Sequence, residues 1–364
     1  MLKVQEFLRS GKTLEDLTNE FGIKVTHHET KSLVILNYCQ IDSHKFKFHP
    51  IVRECRALTL EKDSWNCIGR GFFRFFNLGE DPESESFFNW NEVYCQEKCD
   101  GSLILLYKYN GEICINTRGS FAQGNPHPEF DFTWEQLFWM TGISREEVKV
   151  HLKDFETWVF ELCSPYNKVV RKYEKPTAYL LGGFRNDIPN KEIGQTWLDM
   201  LAENIGAKRP LVYKIRYKEN IHELLKIEEN KDKTFEGFVV RDWNNRRIKV
   251  KSASYILLHK TSNNHNIDKE EIVKLILDEE SDEFLNYFSE YKEKFNEYSE
   301  KIEKICLEAN EVYKNIKDIV IQKDFAINAC KYPFSSILFT MRKTNENDAK
   351  TLIQNNHKMI LRLI

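Results

Sequence analysis

Hydrophobic positions change their period near residue 258 of this 364-residue chain. Before that point apolar residues come in short runs separated by turn residues. Ser102-Leu-Ile-Leu-Leu-Tyr-Lys-Tyr109, then Asn110-Gly111, then Glu112-Ile-Cys-Ile-Asn-Thr-Arg118 predicts a hairpin, because Asn-Gly tolerates the two positive-φ positions of a tight two-residue turn. The stretch from Thr157 to Pro165 reads as an apolar strand ending in a glutamate, Glu161, and that from Thr234 to Arg241 as another with Glu236 at its mouth. Arg247-Ile-Lys249-Val-Lys251 alternates, which puts Lys249 and Lys251 on one face of a strand. From residue 267 the spacing is helical. Phe284, Tyr287, Phe288, Tyr291, Phe295, Tyr298, Ile302, Ile305, Ala309, Val312 and Ile316 advance by threes and fours, one apolar stripe on a long helix with charge opposite. Pro333 ends a further short helix, and 346–362 reads as another. The pattern predicts an α+β body of about 260 residues followed by a helical region of about 100.

Composition narrows the classes. At 41% hydrophobic and 13% aromatic residues the chain builds sizeable cores, which excludes disordered and fibrous proteins. Lys and Arg number 53 against 56 Asp and Glu, a net charge of -3, so this is no uniformly basic nucleic-acid coat. Residues 261–364 hold 15 basic and 19 acidic residues, leaving +1 on the first 260. Any polyanion must therefore be met by local patches. No apolar run approaches the ~20 residues that span a bilayer, and Met1-Leu-Lys-Val-Gln-Glu-Phe-Leu8 reads as a helix start, not a signal peptide. Nine cysteines without paired C-x-x-C spacing point away from a disulfide framework or zinc ribbon and toward a reducing cytoplasm.

The candidate chemistry centres on Glu97-Lys98-Cys99-Asp100-Gly101-Ser102, just before a strand. A lysine there becomes a covalent nucleophile if burial or neighbouring cations release its proton, and Gly101 permits close approach of a ligand. The alternative is an ordinary exposed turn lysine. Lys249 and Lys251 form either a phosphate clamp or a solvated strand face. Glu161 and Glu236 are either site carboxylates or members of structural ion pairs.

In this order, K-x-D-G, F-E, E-G-F-V and K-V-K resemble motifs I, III, IV and V of the covalent nucleotidyltransferases, which include ATP-dependent DNA ligases, RNA ligases and mRNA capping enzymes. Within that superfamily the chain most resembles the phage T4 RNA ligase 1 family. Asn37-Tyr38, Arg53-Glu-Cys-Arg56, Arg74-Phe-Phe76-Asn77-Leu78, the stretch from Glu161 to Val170, Lys251-Ser-Ala-Ser-Tyr255, Arg118 and Ser281-Asp282 carry the likeness. Arg74 and Arg118 stand where the family commonly has lysine, and Cys99 where it often has an acid.

The resemblance implies a nucleotidyltransferase (adenylation) domain with antiparallel sheets and flanking helices over 1–258. It also implies an all-helical domain over 259–364 that contacts the RNA substrate. It implies an ATP-dependent RNA ligase using Mg2+ or Mn2+, which joins 5′-phosphate and 3′-hydroxyl RNA ends, cleaved tRNA included, in RNA repair. Lys98 is then the nucleophile that forms lysyl-AMP. Lys249 and Lys251 neutralise the α-phosphate, while Arg56, Arg74 and Arg118 hold the triphosphate or its leaving group. Tyr38 and Tyr255 belong to the ATP site, Glu161 binds the nucleoside and Glu236, a metal residue, holds or orients a metal-bound water network. Phe76 shapes the pocket or packs in the core. Asp282 serves a second metal or caps a helix. The expected molecule is a monomer in the cytoplasm (the host's, if phage-encoded), without a membrane and with end-healing kinase or phosphatase supplied separately. The helical tail favours RNA ligation over capping or DNA ligation, whose enzymes follow motif V with a β-rich domain. A catalytically inactive RNA-binding relative is the remaining alternative.

Overall fold

A computed structural model describes residues 1–39, 42–167, 169–189, 191–260, 267–285 and 288–364. Lys168 and Tyr287, named above within a motif and a stripe, lie outside the described residues. The chain divides into two compact units, Met1–Tyr255 and Ile256–Ile364, the division falling within the helix Ala253–Lys260.

The first unit holds three four-stranded antiparallel sheets. Strands β1 (Ile23–His27), β2 (Leu33–Tyr38), β3 (Leu58–Glu61) and β4 (Cys67–Gly69) pair in sequence order. The chain then supplies β5 (Val93–Glu97), β6 (Ser102–Tyr109), β7 (Glu112–Thr117), β8 (Glu156–Cys163), β9 (Thr177–Arg185), β10 (Val212–Ile215), β11 (Gly237–Arg241) and β12 (Arg247–Lys251). These form two sheets with orders β10-β5-β11-β12 and β7-β6-β8-β9. The chain thus leaves one sheet after β5, builds the other, and returns. Lys98 to Gly101 is the crossing between them.

Local chemistry explains the elements. Asn110 and Gly111 have φ of 52° and 79°, the doubly left-handed turn that lets Tyr109 pair with Glu112. β6 is a continuous apolar run because it is buried on both faces. Leu103, Leu105 and Tyr107 share a core with Leu33, Ile35 and Val159. Ile104 and Leu106 pack with Trp158 and Phe160 under the helices Trp134–Trp139 and Gln195–Ile205. In β12, Ile248 and Val250 join Phe238 and Val240 against Ile221 and Leu225 of the helix Glu219–Lys231. Arg247, Lys249 and Lys251 therefore share the opposite face, as the alternation predicts.

The second unit is helical. Ile302, Cys306, Ala309 and Tyr313 of the helix Lys292–Ile316 pack with Phe325, Ile337, Leu338, Met341 and Ile353 from the helices that follow. Two expectations need correction. The stripe from Phe284 does not lie on one helix: the chain runs through the short helix Ser281–Leu285 and a 3₁₀ turn, Ser289–Tyr291, before the long helix begins. Phe284 stacks on Phe288 at 4.7 Å and Phe295 at 5.6 Å, so ring packing holds the separate pieces together. Residues 346–362 form the helix Ala349–Asn355 and a 3₁₀ turn, His357–Met359, broken at Asn356, whose φ of -149° and ψ of 79° lie outside the helical region. Among the described residues no helix is long and apolar enough to cross a membrane.

Candidate active site

Lys98 leaves β5 with its backbone N–H donated to the Gly237 carbonyl at 2.9 Å, which ties the K-x-D-G stretch to the start of β11. Its Nζ lies 2.6 Å from Glu236 Oε1, and Glu236 is only 5% exposed. Burial alone would lower the lysine pKa, but the charges of Glu236 and Glu161 outweigh it and hold the ammonium above its usual value. Burial raises Glu236 against the pull of Lys98 and Lys251. Glu161 is pushed up to about 7 by burial, with Lys98 pulling the other way. It sits within β8, two residues before the strand end, opposite Leu103 on the face that carries Val159. A carboxylate in that apolar row is costly to ionise, which is what its titration reports.

Two glycines permit this crossing. A Cβ on Gly101 would collide with the Leu162 carbonyl, and one on Gly237, at φ +133°, with the Val250 carbonyl. Behind the lysine, buried Asp100 accepts the Tyr255 hydroxyl at 2.7 Å and the backbone N–H groups of Val170 and Arg171 at 2.8 and 2.6 Å. Burial, followed by the Glu236 and Asp100 charges, raises the Tyr255 phenol far above its ordinary value. Arg171 pairs with Glu97 at 2.7 Å, while Asn167 donates to Ser102 and the Leu162 carbonyl. The segment after β8 is thereby stitched to the strand boundary that presents Lys98.

Above Lys98 opens a cleft lined by Arg56, Phe72, Phe75, Glu161, Leu181, Val239 and Arg247, among others. Lys249 pairs with Val239 and holds Nζ 5.4 Å from the Phe75 ring. Its backbone bonds Phe76 and Leu78, which lays the Arg74–Leu78 stretch along β12. Lys251 pairs with Gly237, beside Glu236. Arg56 is lowered by burial and feels Tyr38, Arg118 and Glu161 at once. The Tyr38 ring carries the Arg74 guanidinium at 4.2 Å and that of Arg118 at 4.5 Å. One Arg74 nitrogen is buried without a hydrogen-bond partner. Cation–π contacts contribute ~0.5–2 kcal/mol each, too little to explain three guanidiniums gathered round one tyrosine. The arrangement suits a polyanion that neutralises them. Phe76 is buried, 5.3 Å from Arg74 and 5.0 Å from Phe48.

The structure thus lines one cleft with Lys98, Glu161 and Arg56; Glu236 joins it through Lys98, Lys249 through Phe75 and Lys251 through Glu236, with Tyr38, Arg74 and Arg118 joined through Arg56 and Tyr255 through Asp100. Asp282 lies in the helical unit, exposed, inside the first turn of Ser281–Leu285 and not at its cap. Among the described residues no three His, Cys, Asp or Glu side chains cluster as a metal cage. The donor set at Lys98 instead fits a hard cation held by one carboxylate and completed by phosphate oxygens. Sequence reasoning misses Arg247, although it shares the parity of Lys249 and Lys251 and that parity is a signal for it. In the structure Arg247 forms a two-pronged pair with Glu192, 2.6 Å on each prong, and covers Phe72. The partners of Asp100 are distant in sequence and leave no such signal. All nine cysteines are free thiols.

A family described as RNA ligase matches residues 54–260. A putative bifunctional polynucleotide kinase/RNA ligase of Autographa californica nuclear polyhedrosis virus is 30% identical over 80% of this chain, and a putative RNA ligase of Thermovibrio ammonificans is 27% identical over 64%. This chain spans 42% of the first relative's length and 60% of the second's. An archaeal ATP-dependent RNA ligase shares the fold at a TM-score of 0.51 and 14% identity, over 75% of this chain and 68% of that one.

Proposed function

Because this chain belongs to the RNA ligase family, of the T4 RNA ligase 1 kind, we propose that it is an ATP-dependent RNA ligase whose nucleophile is Lys98. The observation that carries the reading is the contact of Lys98 with the buried Glu236 carboxylate in a cleft that Arg56 and Arg247 also line. Lys98 Nζ attacks the α-phosphorus of ATP. The N–P bond forms, the α–β phosphoanhydride breaks, and pyrophosphate leaves. The nitrogen must first lose a proton, and Glu236 at 2.6 Å is placed to take it. Burial works toward that transfer, while the Glu236 and Glu161 charges hold the resting ammonium charged.

Lys249 and Lys251 neutralise the α-phosphate, and Arg56, Arg74 and Arg118 hold the triphosphate tail. Tyr38 orients the last two guanidiniums. Glu161 takes the nucleoside, and Tyr255 fixes the Lys98 segment through Asp100. AMP then passes to an RNA 5′-phosphate, and a 3′-hydroxyl displaces AMP to seal the phosphodiester. A divalent cation, Mg2+ or Mn2+, would be held with substrate phosphates by Glu236 once that carboxyl has passed its proton on, and would offset charge there. Asp282 is the acid of the helical unit proposed for a second metal.

The domain division is proposed to follow these tasks, with adenylation in 1–258 and RNA contact in 259–364. Cleaved tRNA is the proposed substrate class. The 5′-phosphate ends are supplied by a separate end-healing activity, a coupling that the viral relative's name also carries. We place the enzyme in the cytoplasm as a monomer.

The test is sealing of a 5′-phosphorylated RNA with ATP. Lys98→Ala is expected to lose this reaction yet still seal RNA that already carries a 5′-adenylate. Loss of both reactions in a folded variant would contradict the role given to Lys98.

A further inference from the structure

A second cleft of about 1250 Å³ shares a wall with the nucleotide cleft, since Phe72, Phe75 and Arg247 line both. Its lining holds five arginines, at 53, 70, 74, 246 and 247, against one carboxylate, Glu192, which Arg247 already engages. Arg70 is a structural member, spent on the carbonyls of Arg185 and Lys191. Arg53 and Arg246 are less buried than Arg70. Arg53 donates to the Arg74 carbonyl at 3.3 Å and to the Ser84 hydroxyl at 3.4 Å, and lies 5.6 Å from the Phe76 ring. Arg246 donates to the Phe87 carbonyl at 2.5 Å and lies 3.6 Å from the buried Asp242 carboxylate, yet keeps 47% of its side chain exposed. Phe87 itself is 61% exposed at the rim, an arrangement that apolar packing does not explain.

An exposed aromatic ring beside guanidiniums, in a cleft that shares a wall with a nucleotide pocket, matches the chemistry of single-stranded nucleic acid: bases stack while phosphates meet cations. We infer that this cleft holds the terminal nucleotides of the RNA strand that bears the 5′-phosphate, with Phe87 stacking on a base and Arg53 and Arg246 meeting the backbone. The inference rests on the ligase reading and adds to it the path by which that end reaches Lys98.

The test uses the full chain. Binding of a short 5′-phosphorylated single-stranded RNA is followed by fluorescence anisotropy across a salt series, beside RNA-independent labelling of the protein by ATP. Phe87→Ala is expected to weaken RNA binding about tenfold, with Phe87→Tyr restoring it. Arg246→Ala is expected to reduce the salt slope by about one. Both variants should label with AMP as the wild type does. Unchanged RNA binding in both would overturn the inference. So would an equal loss of ATP labelling, which would make the cleft part of the nucleotide site. A wild type that labels but does not bind RNA overturns the inference alone; one that does neither overturns the ligase reading with it.

Discussion

Glu161 has the most readable titration in the site. It lies in an apolar strand row, and burial moves its carboxyl from 4.5 to about 7. A carboxyl whose folded pKa exceeds its unfolded value binds more protons when folded, so its contribution to stability is full below 4.5 and is lost as pH rises through about 7. The loss is at most roughly 3 kcal/mol, because a tenfold change in proton affinity corresponds to about 1.36 kcal/mol. Glu161→Gln is isosteric and cannot ionise. Its melting temperature should therefore gain on the wild type as pH goes from about 5 to about 8, as read by thermal denaturation. A difference that stays constant with pH would contradict the assigned titration. Lys98 shows the opposite balance, held charged by two carboxylates, so the attack proposed for it requires that its proton be moved first.

At the scale of elements, the crossing between sheets is what positions the lysine, and it depends on glycine at two points. Gly237→Ala would meet the Val250 carbonyl and take a φ of +133° that alanine avoids. A loss of at least ~2 kcal/mol is expected, with AMP labelling reduced further than stability alone explains. Thermal denaturation and labelling of the folded fraction separate the two effects. Labelling that merely follows the folded fraction would mean that the crossing does not position Lys98.

Several of these elements are legible in the chain. Asn110-Gly111 marks its hairpin through turn chemistry, and the alternation at 247–251 places two lysines on one face. Other features are not. Between Phe284 and Phe295 the three-and-four spacing continues through a break that no glycine or proline marks, because the aromatic rings pack across it. Asp100 lies inside a recognisable motif, but its link to Tyr255 spans 155 residues and no local pattern records it. Arg247 has the right parity, yet its carboxylate partner Glu192 lies 55 residues away and gives its role no local mark.

For the whole molecule, charge is distributed so that its sign says little about RNA. The first 260 residues carry +1 and the remainder -4, yet three arginines meet at Tyr38 and five line the adjoining cleft. Local patches, not net charge, are thus where the proposed polyanion contacts lie. A chain ended after residue 258 keeps every residue proposed for adenylation and loses Asp282, proposed for a second metal. It is expected to retain AMP labelling while losing its preference for broken tRNA over unstructured RNA, as competition between the two substrates would show. Preference retained without the helical unit would contradict the division of labour.

The central claim is that Lys98 becomes covalently adenylylated. The direct measurement is to strip the protein of bound AMP with pyrophosphate, incubate it with α-labelled ATP and Mg2+ or Mn2+, denature it, and test the label for acid lability and alkali stability. Acid-labile, alkali-stable label on the wild type, absent from Lys98→Ala, is the predicted result. No label with either metal, or label that persists in Lys98→Ala, would contradict it.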